Sequence, residues 1–406
     1  MAYRCEQCGR LWDDEAAADN ELVCTRRCGG PLRGPLADDA PRKVYVELTT
    51  ECNLDCAMCI RHAWDRPGEP MSAETFGNLL RQVSDLGRDG LVLNFSGFGE
   101  PMTHPRFFDL LADAKGAGLC VEVVTNGTRL GPEAVERFLD LELDRLVVSV
   151  DGIRASSSRL LHPVSFPAVA AGLRRLHVRR LARNATRPET GIEFVATRRN
   201  VHELPELRRL AGALGFRSLL VTNLIPYTPE LADEILYARC GTASRGRADS
   251  PSSPCVDLPF LDAHSPASEA VESLRGTGIR LRVNGIDLAG SGPRCRFVTE
   301  GRLAVRYDGS VSPCLSLLHS HTYYFRGKAR RVRAYHVGNV NDRPLAEIWA
   351  GREYRAFRDR VRRFEFSPCI DCGNCDLRET NEEDCTADVF PRCGECLWAA
   401  GLVQCP

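Results

Sequence analysis

Residues 44–59 read VYVELTTECNLDCAMC, a short apolar strand followed by three cysteines. Cys52, Cys56 and Cys59 have the spacing C-x3-C-x2-C, which places three thiols on one loop. Three thiolates can bind three irons of a [4Fe-4S] cluster and leave the fourth iron without a protein ligand. A structural zinc ion needs four ligands, and His62 is the only nearby candidate for the fourth. The spacing therefore favours a cluster whose open iron binds a small molecule.

The composition is that of an ordinary globular protein of 406 residues, of which 43% are hydrophobic and 26% are charged. This length is sufficient for two or three domains. The formal net charge of -1 gives no electrostatic footprint for nucleic acid, so we expect no nucleic-acid partner. No apolar run is long enough to span a membrane, and the N-terminus has no apolar signal segment. We therefore expect a cytoplasmic protein that does not bind membranes.

The chain contains 19 cysteines, and without a secretory signal we interpret them as metal ligands rather than disulfide partners. Near the N-terminus, two pairs have the spacing of a zinc ribbon, in which four thiolates close a tetrahedral site. We predict such a ribbon over residues 1–40, with a bound metal that supplies much of its folding free energy. A rubredoxin-like iron is the alternative. The four predicted ligands are Cys5, Cys8, Cys24 and Cys28.

Strands and helices alternate between residues 43 and 226. Between the strands lie helical patterns, one of them with Ser72 as its predicted N-cap and Gly87 as its stop. Six β/α units predict an α/β fold with a parallel sheet, in which the loops after the strands carry the sites. Residues 227–294 are less regular, and we interpret them as a linker and barrel extension. The predicted strands cover residues 44–48, 91–95, 121–124, 146–150, 192–196 and 219–224.

The C-terminal part, residues 295–406, is rich in cysteine. Residues 302–305 and 310–314 predict a hairpin with Asp308 and Gly309 as the turn, and a helix is expected after Pro344. Nine thiols exceed the eight that close two [4Fe-4S] clusters. The nine thiols also allow one cluster with an open iron beside a second cluster, or a cluster beside a zinc ion. The sequence spacing does not show which thiols bind which metal group. The nine are Cys295, Cys314, Cys369, Cys372, Cys375, Cys385, Cys393, Cys396 and Cys405.

The three-cysteine loop, together with the GFGEP stretch at residues 97–101, resembles the radical S-adenosylmethionine (SAM) enzymes. This resemblance implies a partial (β/α)6 barrel, open on one side, whose cluster binds SAM and cleaves it reductively to a 5'-deoxyadenosyl radical. The GFGEP stretch departs from the family pattern because Phe98 stands in place of a glycine. The spacing of Cys295, Gly309 and Cys314 resembles the opening of the SPASM domain, which implies auxiliary clusters able to accept an electron from a substrate radical.

The same resemblance implies which residues contact SAM. The backbone of the GFGEP stretch would face the amino group of SAM, and Met58 would pack against the adenine. Ser149 and Asp151 are candidates for ribose or carboxylate contacts. Glu193 lies within the fifth strand. Its side chain either has a role in the barrel lumen or forms a structural ion pair, and the sequence leaves both interpretations open. The predicted SAM contacts are Met58, Gly97, Gly99, Glu100, Asn126, Ser149 and Asp151.

Three longer phrases, at residues 191–200, 222–228 and 393–399, resemble the family named for maturation of tungsten-cofactor oxidoreductases. That resemblance implies a radical modification during assembly of a tungsten enzyme, with electrons from a flavodoxin or ferredoxin. The alternatives are dehydrogenation or epimerisation of a secondary alcohol, as in aminoglycoside biosynthesis, modification of a ribosomal peptide, or a non-enzymatic metal-binding scaffold. The substrate is therefore a peptide, a protein or a small molecule.

No catalytic base or hydrogen donor is identified from the sequence. Sulfatase maturases carry an Asp after the second SPASM cysteine as their base, and here Leu315 follows Cys314. Four residues just beyond it are candidates to replace that base, and two thiols outside the cluster motifs are candidate hydrogen donors. The candidates are His319, His321, Tyr323 and Tyr324 for the base, and Cys240 and Cys255 for the donor.

Overall fold

A computed structural model describes residues 40–64, 69–88, 90–154, 166–236, 295–325, 327–364, 366–367, 369, 376–384, 390–400 and 402–403. It also gives the backbone of six short strands outside these ranges. Three of them, β1 (Ala2–Cys5), β2 (Leu11–Asp13) and β3 (Leu32–Arg33), form an antiparallel sheet in the order β2-β1-β3. Cys8, Cys24 and Cys28 lie outside the described residues, so the zinc ribbon stays a prediction.

Six parallel strands that follow one another in the chain lie side by side in a nine-stranded sheet and extend to one of its edges. All six were predicted, and their bounds differ from the predicted ones by a few residues. Each is followed by a loop at its carboxyl end, so the parallel arrangement brings these loops to one edge of the sheet. The strands are β4 (Lys43–Val46), β5 (Val92–Phe95), β6 (Cys120–Thr125), β7 (Arg145–Ser149), β8 (Glu189–Ala196) and β9 (Ser218–Asn223).

Helices connect consecutive strands. Ser72 caps the first of them by accepting a hydrogen bond from the Thr75 backbone at 3.0 Å, as predicted. Gly87 follows its end with a φ of 55°, a left-handed conformation that favours glycine. The connection between β8 and β9 contains two short helices that meet at Leu210. The helices are α1 (Ala73–Asp85), α2 (Phe107–Gly116), α3 (Pro132–Asp140), α4 (Phe166–Ala182), α5 (Leu204–Arg209) and α6 (Ala211–Leu214).

The C-terminal part continues the same sheet. The predicted hairpin is present, and its first strand pairs in parallel with β4, with Leu303 opposite Val44. Cys295 and Cys314 therefore lie beside the barrel. The remaining strands are β10 (Cys255–Leu258), β11 (Arg280–Val283), β12 (Ile286–Asp287), β13 (Arg302–Val305), β14 (Ser310–Ser312), β15 (His321–Phe325), β16 (Lys328–Val332) and β17 (Gly338–Asn339). The helices are α7 (Arg296–Thr299), α8 (Leu345–Ala350) and α9 (Arg352–Arg363), of which α8 follows Pro344 as predicted.

One hydrophobic core joins the barrel to the C-terminal part. It contains Phe76 and Leu93 from the barrel together with Leu345 and Trp349 from α8, all at most 2% exposed. Since both parts bury apolar side chains in the same cluster, each contributes to the folding free energy of the other. Within the described part of the chain, no helix is both long and apolar enough to cross a membrane.

Charged side chains close the barrel at the end where the strands begin. The Lys43 ammonium lies 2.6 Å from the Glu122 carboxylate, which also accepts a hydrogen bond from Asn94 at 2.9 Å. Arg145 lies 3.7 Å from the other oxygen of Glu122. Burial alone would raise the pKa of Glu122, but the charge and hydrogen bond of Lys43, the hydrogen bond of Asn94 and the charge of Arg145 together lower it. The open end of the barrel is therefore the one that carries the cysteine motif.

Candidate active site

The cysteine loop, residues 49–64, follows β4 and is folded by its own backbone. The Cys59 amide donates to the Cys56 carbonyl at 2.9 Å, and a 3-10 turn, Ile60–His62, follows directly. The Leu54 amide donates to the Cys52 sulfur at 3.4 Å. The His62 ring donates through Nε2 to the Cys56 carbonyl at 3.0 Å, so this nitrogen is engaged with the backbone. The arrangement offers three thiols and does not favour His62 as a fourth ligand.

Burial favours the protonated form of two thiols of this loop, Cys52 and Cys56. It raises the pKa of Cys52, and it raises the pKa of Cys56 further because the Asp151 carboxylate adds to the effect. A bound iron would displace these protons, since thiolates are the metal ligands. The loop is therefore suited to hold a metal cluster rather than free thiolates.

The glycine loop, residues 97–101, packs directly against the cysteine loop. A Cβ added at Gly99 would lie 2.2 Å from the Thr49 carbonyl oxygen and 2.7 Å from that of Glu51. A Cβ added at Gly97 would lie 2.7 Å from Cγ of Glu47. Both positions require glycine because the two chain segments approach too closely for a side chain. This is the physical reason for the two glycines that the sequence analysis selected.

Glu100 holds the glycine loop to the end of β6. Its carboxylate accepts hydrogen bonds from the Thr125 hydroxyl at 2.8 Å, the Asn126 amide at 2.7 Å and the Met102 amide at 3.1 Å. Burial still raises the pKa of this carboxyl group. The side chain thus braces two strand ends, a role that the sequence analysis did not predict.

A cavity of about 320 Å³, here called the cysteine-loop cavity, lies among the strand ends. The three cysteines of the loop border it, and so do all seven residues predicted to contact SAM. Ser96, Thr125, Thr222 and Asn223 add polar atoms. Its apolar walls come from both parts of the chain and include Leu54, Val124, Val195, Leu224, Ile225, Leu315, Trp398 and Val403.

Four C-terminal thiols border a second cavity, here called the four-thiol cavity, of about 40 Å³. They are Cys295, Cys314, Cys393 and Cys396, and burial raises the pKa of Cys295, of Cys393 and of Cys396, the last to about 12. Among the described residues, no three His, Cys, Asp or Glu side chains surround a point as closely as one metal ion requires. The thiols instead line a space, which suits a larger group such as a cluster. Their sequence spacing did not indicate this grouping.

The later cysteines are described only in part. Cys369 is buried and its sulfur accepts a hydrogen bond from the Arg392 guanidinium at 2.8 Å. Arg392 also borders the four-thiol cavity. The other four predicted auxiliary ligands, Cys372, Cys375, Cys385 and Cys405, lie outside the described residues.

The sequence matches two family models in the regions just described. Residues 46–188 match the Radical SAM superfamily, and residues 295–376 match SPASM, an iron-sulfur cluster-binding domain. A tungsten-containing aldehyde ferredoxin oxidoreductase cofactor-modifying protein of Pyrococcus furiosus is 30% identical over 89% of this chain and 96% of its own length. The chain belongs to the radical SAM superfamily. The three resemblances named in the sequence analysis, to the radical SAM enzymes, the SPASM domain and the tungsten-cofactor maturase family, are thereby confirmed.

Other relatives carry different names. An AdoMet-dependent heme synthase of Methanosarcina barkeri is 33% identical over 79% of this chain and 86% of its own length. The structure of Streptococcus suis SuiB bound to S-adenosylmethionine matches with a TM-score of 0.52 at 17% identity, covering 82% of this chain and 71% of SuiB. The structure of anSMEcpe with bound AdoMet and a peptide matches with a TM-score of 0.52 at 17% identity, covering 89% of this chain and 96% of anSMEcpe. The α/β radical SAM fold is confirmed, and the chain is an enzyme of this class.

Two carboxyl groups of this radical SAM enzyme face the cysteine-loop cavity, Asp151 just beyond β7 and Glu193 within β8. Asp151 is 3% exposed and accepts a hydrogen bond from the Val195 amide at 3.3 Å. Burial raises its pKa to about 7, and burial together with the charge of Asp151 raises the pKa of Glu193 to about 8. Among the described residues, no Lys, Arg or His borders this cavity and no ion pair forms at Glu193. Of the two open interpretations of Glu193, the structure favours the lumen.

None of the four candidate replacements for the base borders the cysteine-loop cavity in the described structure. His319 binds Glu47, and His321 borders the four-thiol cavity with its pKa lowered to about 4 by burial. The Tyr323 hydroxyl donates to the Glu395 carbonyl at 3.3 Å. Cys240 lies outside the described residues, and of Cys255 only the backbone is described.

The close approach at Gly99 gives the first prediction. Gly99→Ala should destabilise the protein by about 3 kcal/mol and weaken SAM binding at least tenfold, because the new Cβ would overlap backbone oxygens that cannot move independently. Gly116→Ala is the control, since a Cβ at Gly116 meets no atom within 4 Å. Thermal unfolding and equilibrium dialysis with labelled SAM are the measurements. Equal effects of the two substitutions would contradict the assignment.

The carboxyl pair gives a second prediction. Both folded pKa values lie above the ordinary values of carboxyl groups, so the folded protein loses stability as the pH rises from about 4 to about 8. Glu193→Gln should reduce this loss by on the order of 2 kcal/mol between pH 5 and pH 9. Unfolding of the metal-free protein across this range is the measurement, and the exposed Glu133→Gln is the control. A pH profile of Glu193→Gln parallel to that of the wild type would exclude the raised pKa.

Proposed function

We propose that Cys52, Cys56 and Cys59 hold a [4Fe-4S] cluster and that SAM occupies the cysteine-loop cavity. The observation that carries the proposal is the single cavity bordered by all three thiols and all the predicted SAM contacts. Its volume of about 320 Å³ lies within the usual range of small-molecule sites. When bound, the cluster and SAM supply the one-electron cleavage of SAM, which generates the radical that abstracts a substrate hydrogen.

The residues of this chain fit that role. The cysteine loop provides three thiols, which leaves one iron of a cluster open to SAM. Gly97 and Gly99 let the glycine loop approach the cysteine loop, and Glu100 fixes it against β6. The apolar side chains of Leu54, Val124 and Leu315 keep water away from the centre of the cavity.

We propose that Cys295, Cys314, Cys393 and Cys396 hold one auxiliary cluster. Four thiols around one cavity match the ligand number of a closed [4Fe-4S] cluster. Ile225 and Trp398 border both cavities, so the proposed SAM and auxiliary sites are neighbours. This proximity suits electron transfer between a substrate and the auxiliary site. A second auxiliary cluster at the later cysteines, a zinc ion in the ribbon, and a flavodoxin or ferredoxin as the electron donor complete the proposal.

For the substrate, we propose a component of a tungsten-dependent oxidoreductase during its maturation. The support is the Pyrococcus furiosus relative, whose length is covered almost completely. A peptide is the second candidate, since a PqqA peptide cyclase of Granulibacter bethesdensis is 25% identical over 88% of this chain. The scaffold alternative is not supported, because the chain belongs to an enzyme family, and the secondary-alcohol alternative stays a prediction.

Anaerobic reconstitution tests the proposed reaction. After loading with iron and sulfide, the protein should bind about twelve irons and form 5'-deoxyadenosine when reduced with dithionite. Cys56→Ala should abolish 5'-deoxyadenosine formation, because it removes a ligand of the proposed SAM cluster. Incubation with a cofactor-depleted aldehyde ferredoxin oxidoreductase should then consume SAM and change the mass of a component of that enzyme. Absence of 5'-deoxyadenosine in cluster-loaded wild type would reject the function.

The ligand grouping is tested separately. Cys314→Ala should lose about four irons and retain 5'-deoxyadenosine formation without substrate, because the proposed SAM cluster uses other thiols. Cys120→Ala is the control, since this cysteine begins β6 and borders neither cavity in the described structure. Iron and sulfide analysis are the measurements. Full iron content in Cys314→Ala would show that Cys314 is not a ligand.

A further inference from the structure

His319 connects the C-terminal part of the chain to both loops of the cysteine-loop cavity. It lies five residues after Cys314, just beyond the 3-10 turn Leu315–Leu317. Its side chain is buried, with 7% of the residue exposed. Nε2 of His319 donates to Oε2 of Glu47 at 2.8 Å, across 272 residues of sequence.

Glu47 links His319 to the glycine loop. It follows β4 directly and is 1% exposed. Its second oxygen, Oε1, accepts a hydrogen bond from the Phe98 amide at 3.2 Å. Since Gly97 packs so closely on Glu47 that a Cβ would lie 2.7 Å from Cγ, a shift of Glu47 must move the glycine loop. One carboxylate therefore fixes both His319 and the loop.

Aromatic contacts hold the His319 ring from two sides. The Trp64 ring lies 4.4 Å from it, between ring centroids, and the Phe98 ring lies 5.8 Å from it. Trp64 ends the cysteine loop, and Phe98 belongs to the glycine loop. The two rings also contact each other edge to face at 5.7 Å. The Phe98 that departs from the family pattern thus packs against this histidine.

The backbone between Cys314 and His319 is short and constrained. The Leu318 amide donates to the Leu315 carbonyl at 3.1 Å, and the Tyr335 amide donates to the Leu317 carbonyl at 2.9 Å. Cys314 begins this segment at the four-thiol cavity, and His319 ends it at Glu47, beside the glycine loop. A metal-ligand bond at Cys314 would restrict the position of His319 through this turn.

We propose that His319 is a positioning residue that makes SAM affinity depend on occupancy of the four-thiol site. Metal bound at Cys314 fixes the turn, the turn fixes His319, and His319 sets the glycine loop through Glu47. Because such coupling is reciprocal, SAM bound in the cavity also strengthens metal retention at the four thiols. The inference rests on the proposed binding of SAM in the cysteine-loop cavity.

A double-mutant cycle tests the coupling, with the SAM Kd of anaerobically reconstituted full-length protein as the readout. Cys314→Ala and His319→Ala should each weaken SAM binding about tenfold. The double variant should bind SAM no more weakly than either single variant, because both act through one path. A hundredfold loss of SAM affinity in the double variant, or an unchanged SAM Kd in Cys314→Ala, overturns the inference.

Three further variants keep the test specific. His319→Gln can still donate to Glu47 and should restore most of the affinity, which a purely structural loss would not predict. His319→Asn is too short to reach Glu47 and replaces His319→Ala in the cycle if the alanine variant does not fold. The exposed His202→Ala, combined with Cys314→Ala, should give only the effect of Cys314→Ala. Failure of the wild type to bind SAM would instead reject the proposed function itself.

Discussion

The parallel pairing of β4 with β13 is the constraint on which the rest of the structure depends. β4 lies between β5 and β13, and the Glu47 amide beyond it still donates to the Val305 carbonyl at 2.9 Å. This pairing places the cysteine loop, the glycine loop and the C-terminal hairpin side by side. A C-terminal part tethered only by a linker would not bring Cys314 so close to the barrel opening.

The two ends of the barrel strands have different roles, one in stability and the other in chemistry. At the start of the strands, Lys43 and Glu122 form a partly buried ion pair. At their carboxyl ends, the buried carboxyls of Asp151 and Glu193 have no cation beside them in the described structure, and their pKa values rise as a result. Buried charge is thus paired where it supports the fold and left unpaired where a ligand is expected.

The two cavities are neighbours in the structure. Ile225 and Trp398 contribute to both, and His319 links the segment after Cys314 to the glycine loop. Such an arrangement suits an enzyme in which a radical formed in one cavity must be resolved by a redox group in the next.

The sequence by itself determined the local elements and the motif positions. The six strands follow from their apolar runs, the cap at Ser72 from its side-chain chemistry, and the cysteine loop from its C-x3-C-x2-C spacing, all of which depend on neighbouring residues. Parallel strand order then placed the predicted SAM contacts at one edge. Tertiary structure alone decided which four C-terminal thiols share a cavity, that Glu193 faces the lumen beside Asp151, and that His319 meets Glu47. These contacts join residues up to hundreds of positions apart in the sequence. Local sequence patterns depend on neighbouring residues, so they do not show which distant surfaces pack together.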